Sequence, residues 1–440
     1  MNFALYRDLL RIVPVRRLLI VGMIARFPHS AAGVLLTLHV VQTLDRGYAE
    51  AGAVAALLTI GIAVGAPWRG RRVDSAGLRK ALVPSVIAEA MIWSVAPQLS
   101  YEWLLLAALV GGLFTLPAFS VVRQSLGVMV TGEKRRTAFT LDAISTEMIF
   151  MVGPALGVVL ATQVSTVLGL TLVGLATAGA GLFLMWFNPP TRSEQLGAVS
   201  PALTEAEDEA AAVAALVAAA PAHVTEASAE LYPGGRTARS RQRLRERVAG
   251  NFVWLTLGVG VVLVVAAGAG LVLAGTEVGI VAALEETGRE GQLGLVFAAW
   301  CAASVVGGLL YGALHRPVSP LVLLLLMGLF TIPMGFAEST LSLCLLSILP
   351  GLLCAPVLSA ASERVADLVV EERRGEAMGW YGSALTSGVA LGAPLAGITI
   401  DTAGPSPAFS TVGAVAVVIC VLGLGAQQLR RRLWQRQLPS

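Results

Sequence analysis

The chain has 440 residues, of which 56% are hydrophobic and 13% charged, and its formal net charge is +3. A soluble domain of this length would carry about twice that charged fraction, so the composition excludes an ordinary soluble protein and indicates a chain that lies mainly in lipid. The small net charge gives no support for nucleic-acid binding. Because all four cysteines lie in apolar segments, without a CxxC pair, we predict no disulfide framework, metal or cofactor.

Twelve apolar segments are each long enough to cross about 30 Å of hydrocarbon, which takes about 20 helical residues. We predict an all-α polytopic membrane protein, because a spanning segment must satisfy its backbone hydrogen bonds internally. The predicted spans 1 to 12 cover residues 17–43, 48–68, 81–99, 102–122, 138–162, 165–187, 252–284, 292–313, 318–337, 339–361, 376–400 and 405–428. The predicted domains are an N-terminal six-helix half (1–188), a linker (189–250), a C-terminal six-helix half (251–428) and a tail (429–440).

Positive charge is distributed unevenly between the two sides of these spans. Except for Arg26, Arg46 and Arg289, every Lys and Arg lies at or before the start of span 1, after span 12 or in every second gap between spans. The positive-inside rule therefore predicts that both termini are cytoplasmic. Lys80 and Lys134 are the only lysines, and a chain so rich in Arg, Ala and Gly is typical of a high-GC bacterium. We expect the protein in the inner membrane of such a cell.

The predicted linker has two parts of opposite charge. An acidic, Ala-rich stretch around residues 205–209 is followed by an Arg-rich run at 236–247. The Arg-rich run could form an amphipathic helix on the anionic inner leaflet. The alternative is a solvated linker that joins the two halves.

The two halves share sequence features at an offset of about 240 residues, which indicates an internal repeat. The matched pairs are 65–70 with 307–312, Pro117 with Pro356, 133–136 with 371–374, and 153–154 with 392–394. Four matches in the same order favour two parallel six-helix repeats, an architecture found in one large class of transporters.

The loop between spans 2 and 3 reads Gly-Arg-Arg-Val-Asp-Ser-Ala-Gly-Leu-Arg-Lys over residues 70–80. This segment resembles the loop signature G-x-x-x-D-R-x-G-R-R/K of the major facilitator superfamily, with departures at Ser75 and Leu78. The resemblance implies a twelve-helix transporter whose halves rock about a central site, with spans 1, 4, 7 and 10 lining the cavity.

The same resemblance implies an inner gate formed by Gly70, Asp74, Gly77, Arg79 and Arg123. In the family, the acidic residue of the loop pairs with a basic residue on span 4 and latches the outward-facing state. Here the implied partner of Asp74 is Arg123. The alternative is that Asp74 only caps a helix.

A second motif lies in span 5, where Gly153, Pro154 and Gly157 resemble the G-P-x-x-G core associated with efflux members of the family. This resemblance implies the drug or metabolite efflux branch. Glycine and proline at these positions would bend the helix and let it approach span 1 or the opposite half. Simple close packing is the alternative interpretation.

The charged residues that lie clearly inside the predicted spans, away from their ends, are Arg26, Glu89, Asp142, Glu147 and Glu277. A buried charge in a membrane is costly, so each is a candidate for substrate binding or proton coupling. Arg26 and Glu147 both lie roughly 15 Å deep, on spans 1 and 5, and we predict that they pair. The pair would be either a structural salt bridge or a proton-coupling element.

The remaining candidates are less specific. Asp142 is predicted near the inner surface, where it could be a solvated first-turn acid, and Glu89 lies on span 3, which the resemblance places at the periphery. Glu277 could line the cavity or an outer gate. His29 on span 1 is a candidate proton carrier, although a lone histidine is more often a hydrogen-bonded structural residue.

These features predict a secondary active transporter, most specifically a proton-coupled exporter of a small amphipathic compound. The alternatives are a metabolite importer working by proton symport and a non-transporting membrane receptor. No HxxxD or HExxH motif occurs, and the sequence predicts no enzyme. The expected partners are the substrate, the proton and the lipid bilayer, with the protein itself a monomer.

Overall fold

The computed structural model describes residues 4–197, 254–314 and 316–437, and within these ranges the chain is helical and forms no β-strand. The all-α prediction is confirmed. The acidic and Arg-rich parts of the predicted linker lie outside the described residues. A short helix, Ala4–Arg11, precedes span 1.

Eleven helices in the described ranges are long and apolar enough to cross a bilayer, and a shorter apolar helix corresponds to span 9. In chain order, spans 1 to 6 are Val13–Gln42, Tyr48–Ala76, Leu78–Val95, Tyr101–Phe114 with Ala118–Met129, Glu133–Gln163 and Thr166–Phe187. Spans 7 to 12 are Leu257–Glu286, Leu293–Gly312, Pro320–Thr331 continued by a 3-10 turn Ile332–Phe336, Thr340–Leu368, Arg374–Ala403 and Pro405–Gln437.

Several helices extend beyond the predicted apolar segments. Span 5, predicted from residue 138, begins at Glu133, and span 12, predicted to end at 428, continues to Gln437. Hydropathy marks only the lipid-buried part of a helix, whereas Arg, Lys, Glu and Gln are good helix formers and continue it into water.

Span 4 is broken, although the sequence predicted one continuous segment over 102–122. The first part ends at Phe114 and the second begins at Ala118, with Thr115 in an extended conformation (φ −47°, ψ 140°). Pro117 has no N–H and restricts the backbone of the residue before it, which favours a helix end here. Its repeat mate Pro356 lies inside the unbroken helix Thr340–Leu368, so the repeat does not extend to the break.

The N-terminal six spans meet the C-terminal six along two seams. Span 2 packs against span 11, and span 5 packs against spans 8 and 10. Both seams reach the end of the bundle that holds the loops after spans 2, 4 and 10. We call it the arginine-rich end, because it carries Arg71, Arg135, Arg136 and Arg373.

Candidate functional site

Two buried arginines share one buried aspartate where spans 1, 4 and 5 meet. Asp142 Oδ1 accepts a hydrogen bond from Arg26 Nη1 at 2.6 Å, and its Oδ2 accepts one from Arg123 Nε at 3.1 Å. Arg26, Arg123 and Asp142 are 1%, 5% and 1% exposed. Charge-assisted bonds of this kind are strong, but they leave two guanidinium charges sharing one carboxylate. We call these three residues the triad.

The predicted pair between Arg26 and Glu147 is wrong. Arg26 also donates to Thr146 Oγ1 at 3.1 Å, whereas Glu147 Oε1 accepts from the Cys354 thiol of span 10 at 3.1 Å. Asp142 and Thr146 are one turn apart and share a helix face, but Glu147 is about 140° around the axis from Asp142. Equal depth in the membrane therefore did not make Arg26 and Glu147 partners.

The prediction that Asp142 is a solvated first-turn acid is also wrong. The helix of span 5 begins at Glu133, earlier than predicted, so Asp142 lies in its third turn. Its side chain is buried between the two arginines. Burial of a carboxylate at this depth is tolerable because both oxygens are paired.

An aromatic surface lies beside the triad. The Phe119 ring centroid is 4.7 Å from Arg26 Cζ and 6.1 Å from the stacked ring of Phe150. His29 meets Phe119 edge to face at 6.5 Å. His29, Phe119 and Phe150 are partly or fully exposed, although Arg26 beneath them is buried. This aromatic surface can hold the apolar part of a small molecule next to charged groups.

The triad also contacts the C-terminal spans through Tyr381 of span 11. Arg123 Cζ lies 5.1 Å from the centroid of the Tyr381 ring, and the fully buried Tyr381 donates its hydroxyl to Leu358 O at 3.2 Å. A shift of Arg123 would therefore change contacts in both the N-terminal and the C-terminal spans.

Asp74 forms a contact between the two sets of spans at the arginine-rich end. Its Oδ1 accepts from the Gly375 amide at 2.9 Å and from Gln124 Nε2 at 2.8 Å, and its Oδ2 accepts from the Glu376 amide at 2.8 Å. The predicted pair between Asp74 and Arg123 is therefore wrong, because Arg123 binds Asp142 while its neighbour Gln124 reaches Asp74. Asp74 caps the first turn of span 11, where a negative charge is favourable.

Further contacts at the start of span 11 complete what we call the latch: Asp74, Gly375 and Glu376 with their partners. Glu376 accepts from Arg71 at 2.5 Å and from Arg373 at 3.0 Å. A side chain at Gly70 would collide with the backbone oxygen of Gly375, so glycine permits the close approach of spans 2 and 11.

The other two predicted gate residues, Gly77 and Arg79, lie where span 3 meets spans 2 and 6. Gly77 has φ +78°, a conformation that favours glycine, and it separates span 2 from span 3. Arg79 donates to Met185 O at 3.0 Å near the end of span 6. These residues orient span 3 between its neighbours and do not bond Asp74 in the described part of the chain.

A second set of contacts closes the other seam at the same end. Arg135 pairs with Asp367 at 2.7 Å, and Arg136 pairs with Glu363 at 3.4 Å. Ser359 donates to Thr140 Oγ1 at 3.1 Å one turn deeper. These partners were not predicted from the sequence, although the repeated Glu-x-Arg-Arg runs before spans 5 and 11 indicate that this end carries paired charges.

The structure is closed at the arginine-rich end. Hydrogen bonds and ion pairs between N-terminal and C-terminal spans lie at that end and reach to about the bundle midpoint. The deepest are the bond between Cys354 and Glu147, and the bond from Ser383 Oγ to Ala63 O at 2.6 Å. The triad lies among spans 1, 4 and 5, deeper in the bundle than the contacts of the arginine-rich end.

Sequence comparison identifies the family. The model of the Major Facilitator Superfamily matches residues 18–320 and 261–433. The chain belongs to the Major Facilitator Superfamily. Membership confirms the implied superfamily and makes the chain a multi-pass membrane protein with the fold of secondary transporters. Among curated protein sequences, none matches this chain significantly.

Two solved structures illustrate the likeness. The human organic anion transporter MFSD10 (TETRAN) superposes with a TM-score of 0.65 at 18% identity, covering 93% of this chain and 99% of its own. The proton:xylose symporter XylE, bound to 6-bromo-6-deoxy-D-glucose, gives a TM-score of 0.66 at 11% identity, covering 93% of this chain and 94% of its own. At these identities the likeness shows the major facilitator fold alone.

Two predicted charges of this superfamily member lie away from the triad. Glu89 is 4% exposed and accepts from the Leu116 amide at 3.2 Å, so it contacts the break in span 4 and is not a peripheral surface group. Glu277 is exposed and lies about 30 Å along span 7 from its start at Leu257. The structure does not bring Glu277 to the triad.

The span 5 motif packs against span 1. A side chain at Gly153 would overlap Ser30, and one at Gly157 would press on the backbone oxygen of Ala31. The side chain of Pro154 lies outside the described residues. This geometry supports the close-packing interpretation of the motif, and its link to efflux stays a prediction. Nowhere in the described ranges do three or more His, Cys, Asp or Glu side chains form a group that could hold a metal ion.

Proposed function

We propose that this protein exports a small amphipathic compound across the cytoplasmic membrane by alternating access, in exchange for protons. The observation that carries the proposal is the triad. One carboxylate joins two guanidinium groups on three different spans, beside the partly exposed aromatic surface of Phe119 and Phe150.

We assign the proposed proton coupling to Asp142. In its charged form, Asp142 holds both Arg26 and Arg123. Protonation would remove the charge that both guanidinium groups share, and spans 1 and 4 would lose their ion pairs with Asp142 of span 5. A substrate that competes for the same arginines, or for the aromatic surface above them, would bias the same equilibrium, which is the requirement for coupled transport.

Glu147 is the second acid in this proposal. It lies on the face of span 5 turned toward span 10, is half-buried, and accepts a bond from the Cys354 thiol. No cation pairs with it in the part of the chain that the structure describes. An acid without an ion pair, at the boundary between moving elements, can gain or lose a proton as that boundary opens.

The positive-inside rule supports placing the arginine-rich end, and both termini, in the cytoplasm. On that assignment the structure is closed toward the cytoplasm, with the latch and the Arg135 and Arg136 pairs formed. These contacts would have to break for the compound to enter from the cytoplasm.

Proton movement in proteoliposomes tests the proposal. The purified protein is reconstituted with a pH-sensitive dye inside, and a panel of amphipathic dyes and drugs is added one at a time. An exporter working by antiport moves protons opposite to the compound. Movement of protons and compound in the same direction would favour symport, which is the mode of transport named for the structural neighbour XylE. Binding without movement of either would contradict transport and indicate a receptor.

Replacing Glu147 by glutamine is expected to lower proton-coupled transport by about tenfold, within the usual range of coupling between sites. Glutamine keeps an acceptor for the Cys354 thiol but cannot exchange a proton. The measurement is compound-dependent proton flux per folded protein. Flux equal to that of the unmodified protein would remove Glu147 from the coupling path.

A further inference from the structure

The break in span 4 leaves backbone groups without helical partners inside the membrane. Span 4 stops at Phe114 and resumes at Ala118, so carbonyls before the break and amides after it need other partners. In lipid such groups are costly, and non-helical backbone occurs only where it is buried in protein or lines a water-filled cavity.

A buried arginine donates to two carbonyls on one side of the break. Arg69 of span 2 is 4% exposed, and its Nη1 donates to Gly112 O at 3.1 Å and to Leu113 O. These carbonyls end the first part of span 4. A cation is favourable there, because the last carbonyls of a helix carry partial negative charge.

A buried glutamate satisfies the amide side. Glu89 of span 3 is 4% exposed, and its Oε1 accepts from the Leu116 amide at 3.2 Å, just before the second part of span 4. An anion is favourable at the start of a helix. The break is therefore held between a cation and an anion, each at the helix end that suits its sign. We call Arg69 and Glu89 the span 4 clamp.

The second part of span 4, Ala118–Met129, touches both the triad and the latch. Phe119 covers Arg26, Arg123 binds Asp142, and Gln124 donates to Asp74. One helix of three turns therefore carries contacts to the candidate transport site and to the contact that closes the arginine-rich end. Arg69 of the clamp directly precedes Gly70, which packs on span 11.

We propose that Arg69 and Glu89 are positioning residues that hold Ala118–Met129 as a lever, with its pivot at Thr115–Pro117. The lever transmits a change at the triad to the latch, because a tilt that moves Arg123 also moves Gln124 away from Asp74. The proposal does not depend on the identity of the transported compound or on the coupling ion.

Amide hydrogen exchange of the full chain in lipid nanodiscs tests the lever. In Arg69→Met, which removes one of the two clamp residues, we expect the Leu116 amide to exchange about tenfold faster. We expect the same increase for the amides of Gly375 and Glu376, which donate to Asp74. Arg72→Met is the matched control. Arg72 lies on the same helix with its Cζ 5.2 Å from the Trp68 ring, and these amides should exchange as in the unmodified protein.

A second pair of variants keeps the test decisive if Arg69→Met does not fold. Glu89→Met removes the acceptor of Leu116 and should reproduce both effects, whereas Glu89→Gln retains an acceptor and should restore slow exchange at all three amides. Faster exchange at Leu116 alone would overturn the lever and leave a local cap. Unchanged exchange at Leu116 would overturn the clamp. Uniformly faster exchange, including the interior of span 10, would show a merely structural effect and would also overturn the proposal.

Discussion

Replacement of Asp142 by asparagine is expected to destabilise the protein by about 3–5 kcal/mol, because removing one partner of a buried ion pair leaves the other charge uncompensated. Here the change strands two arginines at once, Arg26 and Arg123, both nearly inaccessible to solvent. Thermal unfolding in detergent, followed by tryptophan fluorescence, should show a clearly lowered midpoint.

The same chemical change at an exposed site provides the control. Asp45 is exposed and has φ +49°, a conformation that asparagine tolerates well, so Asp45→Asn should leave the midpoint nearly unchanged. Because Glu147→Gln removes no ion pair, its unfolding midpoint should be much closer to that of Asp45→Asn than to that of Asp142→Asn. A midpoint for Asp142→Asn equal to that of the unmodified protein would mean that Asp142 does not hold the two arginines.

Replacement of Asp74 by alanine is expected to open the arginine-rich end. The change removes the acceptor of three hydrogen bonds, from Gly375, Glu376 and Gln124. Hydrogen bonds to a charged acceptor contribute about 1.5–3 kcal/mol each. Even a loss of about 3 kcal/mol in total would shift the ratio of closed to open forms by more than about a hundredfold.

Spin labels can be attached at the exposed positions Lys134 and Arg316, which lie on opposite sides of the contact between span 5 and spans 8 and 10. Pulsed electron paramagnetic resonance would then report the opening as a longer distance between the labels. A sample without introduced cysteines gives the background from the native thiols, of which Cys344, Cys354 and Cys420 are buried. Asp401→Ala, at an exposed acid far from the latch, is the matched control. An unchanged distance in Asp74→Ala would show that Asp74 only caps span 11 and does not hold the closed form.

Hydropathy was sufficient to locate the twelve spans, although not the break that divides span 4 into two helices, and the loop signature was sufficient for the family. The sequence also identified the residues of the triad, since Arg26, Arg123 and Asp142 were all candidates. It did not predict their pairing, because depth along a helix says nothing about the direction around its axis. Arg123 and Gln124 are adjacent, yet the first binds the triad and the second binds the latch.

The break in span 4 shows a different limit. Pro117 and Pro356 occupy equivalent repeat positions, but only Pro117 accompanies a break. A proline makes a break possible, whereas the groups that satisfy the freed backbone decide whether one forms. At Pro117 these groups are Arg69 and Glu89, which come from two other helices. Sequence reasoning could not place them there.

In the mechanism that we propose, a proton on Asp142 is coupled to movement of the compound. The most direct test imposes a pH gradient on proteoliposomes and follows uptake of a transported compound per folded protein, in the unmodified chain and in Asp142→Asn. We predict that the gradient drives accumulation in the unmodified protein and that Asp142→Asn only equilibrates the compound. Gradient-driven accumulation by Asp142→Asn at the level of the unmodified protein would contradict this mechanism.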